Sequence, residues 1–243
     1  MRRLTRIAMW SGPRNLSTAM MRSFSSRPDC QCIDEPFYAA WLKETGANHP
    51  MRAEILHHHE TDPAAVSRML AAGMPGDRPL HYEKHMTHHG GAALLDHNFH
   101  GVRHAFLIRH PARVLASYAA KMTDVSLAAI GFTQQWALFD RLREETGKTP
   151  VVIDADAILR DPARMLSALC AALDIPFSPA MLTWPAGPHP ADGVWARHWY
   201  ASIHASTGFG APPGPLPAIA PAHETIAAEA QVIYDKLGVY SLR

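Results

Sequence analysis

Residues 6–24 read RIAMWSGPRNLSTAMMRSF, and the reading of this stretch decides the fold. Ile7-Ala8-Met9-Trp10 is a short apolar run of the kind that forms a buried strand. Ser11-Gly12-Pro13-Arg14-Asn15 supplies a turn. Leu16, Ala19, Met20 and Phe24 then recur at helical spacing and give one apolar face. Asn15 is placed to cap that helix, with Ser17 and Thr18 in its first turn. A strand that turns directly into a helix gathers free backbone N–H groups at the positive end of the helix dipole. With Arg14 and two hydroxyls beside them, that point suits a phosphate or sulfate. The alternative is a strand–turn–helix that binds nothing.

The same alternation continues along the chain. Cys30-Gln31-Cys32-Ile33-Asp34 reads as a second strand, stopped at Glu35-Pro36 because proline cannot donate to a ladder. A helix starts in Phe37-Tyr38-Ala39-Ala40-Trp41-Leu42, so Glu35 lies at a strand end, either facing a ligand or capping the helix. Residues 46–76 read as a helical insertion, with a short helix at 51–59 and another after Asp62-Pro63 that presents Val66, Met69 and Leu70 and ends at Gly73 and Pro75-Gly76. It is either a lid or a packed excursion. Residues 80–86 read as a third strand, in which an unpaired buried Lys84 would be costly, so Lys84 belongs at the sheet's ligand edge or on a solvent face.

A fourth strand, His104-Ala105-Phe106-Leu107-Ile108, runs into Arg109-His110-Pro111, and Pro111 suits a first helical turn. Arg109 ends its strand at the same edge as the first turn. Ser117 follows about two helical turns on, so a bidentate arginine and a hydroxyl can converge on one phosphate. Residues 126–145 read as a long helix with Phe132, Trp136 and Phe139 inward, and 151–154 as the fifth strand. Asp161-Pro162 opens a helix with Leu166, Leu169, Cys170 and Leu173 inward. Residues 185–221 are irregular and proline-rich, and 223–237 form a last helix. Strands alternating with helices imply one α/β domain over 1–243, a mostly parallel sheet flanked by helices on both faces.

The composition excludes several classes. The 243 residues are 47% hydrophobic, enough for a globular core, and the formal net charge of +1 provides no global field for nucleic acid. No apolar run reaches membrane-spanning length, and the basic N-terminus carries too short an apolar stretch for a signal peptide. Three cysteines suit a reducing compartment, and a cytoplasmic protein is expected. Cys30 and Cys32 have no second pair nearby and read as strand residues. The sixteen histidines include His57-His58-His59 and His88-His89, consecutive runs that point in different directions on a helix, so no metal site is expected.

The first loop is not a strict nucleoside-triphosphate loop, because the glycine and lysine of that pattern are absent; counting from Gly12, those positions hold Ser17, Thr18 and Ala19. Pro13-Arg14-Asn15-Leu16-Ser17-Thr18 instead resembles the 5′-phosphosulfate loop of sulfotransferases, Pro-(Arg/Lys)-Ser-Gly-Thr-Thr, with Leu16 in place of the family's glycine. Arg109, Pro111 and Ser117 keep the spacing of that family's 3′-phosphate motif. Gly193-Val194-Trp195-Ala196-Arg197 resembles its late nucleotide-covering loop. The resemblance implies a P-loop-like three-layer fold and 3′-phosphoadenosine 5′-phosphosulfate as co-substrate, with no metal. In it, Arg14 and Thr18 hold the 5′ end, Arg109, Ser117 and Arg197 hold the 3′-phosphate, and Trp195 closes the pocket. A small-molecule hydroxyl or amine is the acceptor, and a homodimer is allowed. Glu35 is the first choice of general base, His85 or His88 the second, with Lys84 assisting. The alternatives are a phosphoryl-transfer enzyme and a non-catalytic nucleotide-binding protein of the same fold.

Overall fold

The computed structural model describes residues 4–74, 77–89 and 101–243. Its centre is a five-stranded sheet in the order β2-β3-β1-β4-β5, built from β1 (Thr5–Ser11), β2 (Cys30–Asp34), β3 (Leu80–Met86), β4 (Arg103–Ile108) and β5 (Val151–Asp154). All neighbouring strands run parallel, so their C-terminal ends share one edge of the sheet. Each strand expected from the sequence is present; Pro75-Gly76, expected at a helix end, lies outside the described residues.

Strand alternation sorts the core into two layers. Ile7 and Met9 of β1 face one side, where they meet Met20, Met21 and Phe24 of α1 (Ser17–Ser25). On that side lie also α7 (Ala155–Arg160) and α8 (Pro162–Ala172), through Ile158, Leu166 and Leu169. Ala8 and Trp10 face the opposite side, against α4 (Pro63–Ala72), α6 (Phe132–Thr146) and α11 (Glu224–Gly238), through Leu70, Phe139 and Leu237. The sheet is therefore covered on both faces, as a parallel sheet requires.

Between these lie α2 (Tyr38–Thr45) and α3 (Arg52–His58), and α5 (Pro111–Ala119) follows β4. The helical insertion is packed: Ile55 is buried with Leu42 and Trp195, and Val66 and Leu70 are buried with Phe37. Two short helices, α9 (Ala196–Trp199) and α10 (Ala201–His204), interrupt the irregular late segment. Among the described residues, no helix is long and apolar enough to cross a membrane.

Two local expectations differ. The helix read over 126–145 begins only at Phe132, because Gly131 at φ 76° takes a left-handed conformation that a helix interior excludes. That bend brings the 130–131 backbone onto Gly12, where an added Cβ would lie 2.6 Å from the Ile130 carbonyl oxygen; only glycine allows this approach. Asn15 does not cap α1. Leu16 occupies the cap position at φ 69° without a side-chain hydrogen bond, and Asn15 is buried, its Nδ2 donating to the Leu107 carbonyl at 3.3 Å. The loop is thus pinned to β4, and the first-turn amides of α1 receive no side-chain cap.

Candidate active site

A cleft of about 400 Å³ opens at the C-terminal edge of the sheet, where β1, β2, β3 and β4 end. Open parallel sheets bind ligands at this edge. Its lining includes the whole Pro13–Thr18 loop, Glu35, Lys84, His88, Arg109, Ser117 and Trp195. Thr18 and Ser117, one from each expected anion motif, share this cleft.

The two motifs touch. Arg14 Nε donates to Ser117 Oγ at 2.8 Å, and Arg109 Nη1 donates to the Arg14 carbonyl at 2.8 Å. The backbone bends sharply to permit this, with Arg14 at φ 63° and Leu16 at φ 69°. Two non-glycine residues in the left-handed region cost about 1–2 kcal/mol each. Leu16 stands where the related motif has glycine, so the left-handed conformation accounts for that glycine and the loop keeps its shape without it. Burial lowers the pKa of both guanidinium groups. Arg109 Nε is buried with no hydrogen-bond partner, a donor left for an anion.

Beside this cradle lies a compact charge cluster. Lys84 is 1% exposed, and its Nζ donates to Asp34 Oδ1 and to the Tyr200 hydroxyl, both at 2.8 Å, and to Glu35 Oε1. Asp34 Oδ2 accepts from the Tyr200 hydroxyl at 2.7 Å, Trp195 Nε1 at 3.1 Å and the Gly193 amide at 3.3 Å. Burial disfavours the Lys84 ammonium, but Asp34 and Glu35 outweigh it and raise its pKa well above the ordinary value. Lys84 therefore stays charged and Asp34 is fully engaged.

Glu35 differs from its neighbour. It sits at φ 40°, its amide continues the sheet by donating to the Lys84 carbonyl at 2.9 Å, and its Oε2 lies 3.4 Å from His89 Nδ1. Burial raises its pKa; Lys84 pulls the other way, and Asp34 adds to the rise. A carboxylate of raised pKa on a cleft wall is suited to accept a proton near neutral pH. His89, on the turn after β3, stacks on Tyr38 at 4.3 Å between ring centres. Burial and the neighbouring His88 hold His89 well below the ordinary histidine pKa, and burial with His49 pushes His88 down to about 3. Both rings are neutral at physiological pH.

Two expected residues are elsewhere. His85 follows Lys84 on a strand, so its side chain takes the other face of the sheet. There it stacks on Trp10 at 4.3 Å, with its Nε2 3.0 Å from Glu83 Oε2, outside the cleft lining. Arg197 is turned outward on α9, where it pairs with Glu54 of α3, and it too is absent from the lining. Trp195 is 1% exposed and walls the cleft, with its indole N–H spent on Asp34. Tyr200, His89 and the partnering of Asp34 were not read from the sequence. The alternation of β3 already separates His85 from Lys84, but nothing local announces the return of Tyr200. Among the described residues, no cluster of three or more His, Cys, Asp or Glu could hold a metal ion.

A family model described as a sulfotransferase domain matches residues 5–238. The chain is 39% identical over 206 residues to branched-chain-amino-acid aminotransferase-like protein 2 of Arabidopsis thaliana, and 40% identical over 206 residues to protein 1 of that name. Each match covers 85% of this chain but only 36% and 37% of the relatives, so the chain spans about a third of their length. Among solved structures, it superposes on the sulfotransferase domain of the Synechococcus PCC 7002 olefin synthase with a TM-score of 0.58 at 19% identity, over 100% of this chain and 98% of that one. The sulfotransferase from Alicyclobacillus acidocaldarius gives 0.55 at 17% identity, over 83% and 91%. At such identities these structures speak for the fold alone.

The charge cluster makes a direct prediction. Lys84→Met leaves Asp34 and Glu35 buried without their counter-ion and should lower stability by about 3–5 kcal/mol at neutral pH. Protonating the carboxylates removes that uncompensated charge, so the deficit should shrink as pH falls. Urea denaturation of parent and variant across pH measures it; a deficit independent of pH would mean that the three groups do not share one charge balance.

Proposed function

Because the chain belongs to the sulfotransferase-domain family, we propose that it transfers a sulfuryl group from 3′-phosphoadenosine 5′-phosphosulfate to a hydroxyl or amine of a small-molecule acceptor. The observation that carries this reading is the junction of two anion-binding elements in one cleft, through Arg14 with Ser117 and Arg109 with the Arg14 carbonyl. A nucleotide phosphorylated at both ends of its ribose needs two such cradles at a fixed separation.

The residues fit that donor. The backbone amides of residues 14–18, with the Ser17 and Thr18 hydroxyls, would hold the 5′-phosphosulfate, and Arg14 would stabilise charge on the leaving phosphate oxygen. Asn15 would act through its backbone, since its side chain is bonded to β4. Arg109, with its unpartnered Nε, and Ser117 would grip the 3′-phosphate and so set the register of the sulfuryl group. Arg197 is left out of this grip, since it lies outside the cleft lining in an exposed pair with Glu54.

Glu35 serves as general base. It takes the acceptor's proton as the new O–S or N–S bond forms and the bond from sulfur to the phosphate oxygen breaks, leaving 3′-phosphoadenosine 5′-phosphate. Lys84 holds Glu35 in place and offsets its charge. His88 remains on the cleft wall, but its low pKa makes it a weaker base than Glu35. Phosphoryl transfer is disfavoured by the missing loop lysine. Tyr38, Met86, Trp199 and the neutral His88 and His89 also line the cleft, and an acceptor set against them would be an uncharged one. The three buried, unpaired cysteines fit a reducing cytoplasm.

Two variants separate binding from chemistry. Glu35→Gln should reduce sulfuryl transfer by about 100-fold or more while leaving affinity for 3′-phosphoadenosine 5′-phosphate intact. In the parent, the acid limb of kcat/KM should lie above the ordinary carboxylate range, because the base must be deprotonated and its pKa is raised. Full turnover by the variant would remove Glu35 from the chemistry. Arg109→Ala should weaken that nucleotide by about 2–5 kcal/mol in calorimetry; unchanged affinity would put the 3′-phosphate elsewhere.

A further inference from the structure

Outside the cleft lining, on the C-terminal part of α1, lies a buried ion pair that the transfer step does not use. Arg22 is 1% exposed, and its guanidinium forms a fork with Asp192: Nη1 lies 2.7 Å from Oδ1, and Nη2 donates to Oδ2 at 2.8 Å. Asp192 Oδ2 also accepts from the His189 amide at 2.9 Å and lies 3.1 Å from His204 Nε2. Arg22 Nη2 further reaches the Gly187 carbonyl at 3.5 Å. Burial opposes ionisation of Asp192, yet Arg22 and the His189 amide hold its pKa below the ordinary value. Arg22 on α1 thus meets the segment 187–204 at Gly187 and Asp192, and Asp192 in turn meets His204 at the segment's end.

That segment is the strap over the charge cluster. It carries the Gly193 amide, Trp195 Nε1 and the Tyr200 hydroxyl, all three bonded to Asp34, and Tyr200 also bonds Lys84. Asp192 immediately precedes the first of these contacts. The helix that bears Arg22 begins at the anion loop, so the fork joins the loop's own helix to the groups that surround Glu35.

We propose that Arg22 and Asp192 are positioning residues for the transfer step: their buried fork holds the 187–204 strap so that Tyr200 and Trp195 close over Lys84 and Glu35. This rests on the sulfuryl-transfer reading above only for its consequence on turnover. The groups that interact with Glu35 are Asp34, Lys84, His89, Tyr38 and Tyr200, and of these only Tyr200 is carried by the strap. Loosening the strap admits water to Glu35 without removing any other neighbour.

The test is Asp192→Asn, read by carbon-13 NMR titration of the Glu35 carboxyl and by steady-state kinetics. Glu35 should titrate lower than in the parent, toward the ordinary carboxylate range, because less burial means less penalty on its charged form. Turnover should fall about 10- to 100-fold, with the donor KM unchanged within about twofold. Arg22→Lys, which keeps one ion pair, should move both readouts the same way by less, and it supplies the answer if Asp192→Asn does not fold. An unchanged Glu35 titration in either folded variant, with turnover lost only in proportion to the folded fraction, overturns the proposal and leaves the fork a structural pair. Should the parent transfer no sulfuryl group at all, the function reading fails, and the titration alone decides whether the fork governs Glu35.

Discussion

Two arginine hydrogen bonds hold the loop after β1 against the start and second turn of α5, and the rest of the cleft depends on them. Arg14 reaches Ser117, and Arg109 reaches back to the Arg14 carbonyl, each across 2.8 Å. Hydrogen bonds with a charged donor are worth about 1.5–3 kcal/mol each when partly buried. Together they are of the size needed to hold Arg14 and Leu16 in left-handed conformations that cost about 1–2 kcal/mol apiece. The sharp loop, the absence of a side-chain cap on α1 and the buried arginine donor are three consequences of one arrangement.

The second constraint is electrostatic. Three ionisable side chains meet at the ends of β2 and β3, and isolated charges there would be strongly disfavoured. Register makes the pairing unavoidable, since Asp34 lies directly beside Lys84 in the parallel ladder. Asp34 receives four donors and Lys84 contacts three oxygens, so these two are satisfied. Two carboxylates against one ammonium leave an excess, and it falls on Glu35, the carboxylate of the two that lines the cleft. Its raised pKa follows from the same packing that stabilises its neighbours.

Much of this was legible in the sequence, for identifiable reasons. Apolar runs ending in Gly, Pro or a charged residue marked β1, β4 and β5, whereas the polar Leu80–Met86 stretch announced β3 less clearly; the spacing of Arg109 to Ser117 put both at the cleft because one short helix links them. Less was legible where long-range contacts decide. Asn15 looked like a cap, but a buried carbonyl on β4 took its amide. Arg197 has the motif spacing, but α3, from the insertion, supplies Glu54 and draws it away. His85 could have been set aside by strand alternation alone. Tyr200 could not have been found, because its hydroxyl reaches Lys84 across 116 positions.

The most direct measurement is calorimetric titration of the protein with 3′-phosphoadenosine 5′-phosphate and, separately, with ATP. Two cradles matched to the two ends of one ribose predict at least about tenfold tighter binding of the bisphosphorylated nucleoside, a difference of about 1.4 kcal/mol. Equal affinities, or a preference for the triphosphate, would contradict the pairing of Arg14 with Arg109 as a single nucleotide grip.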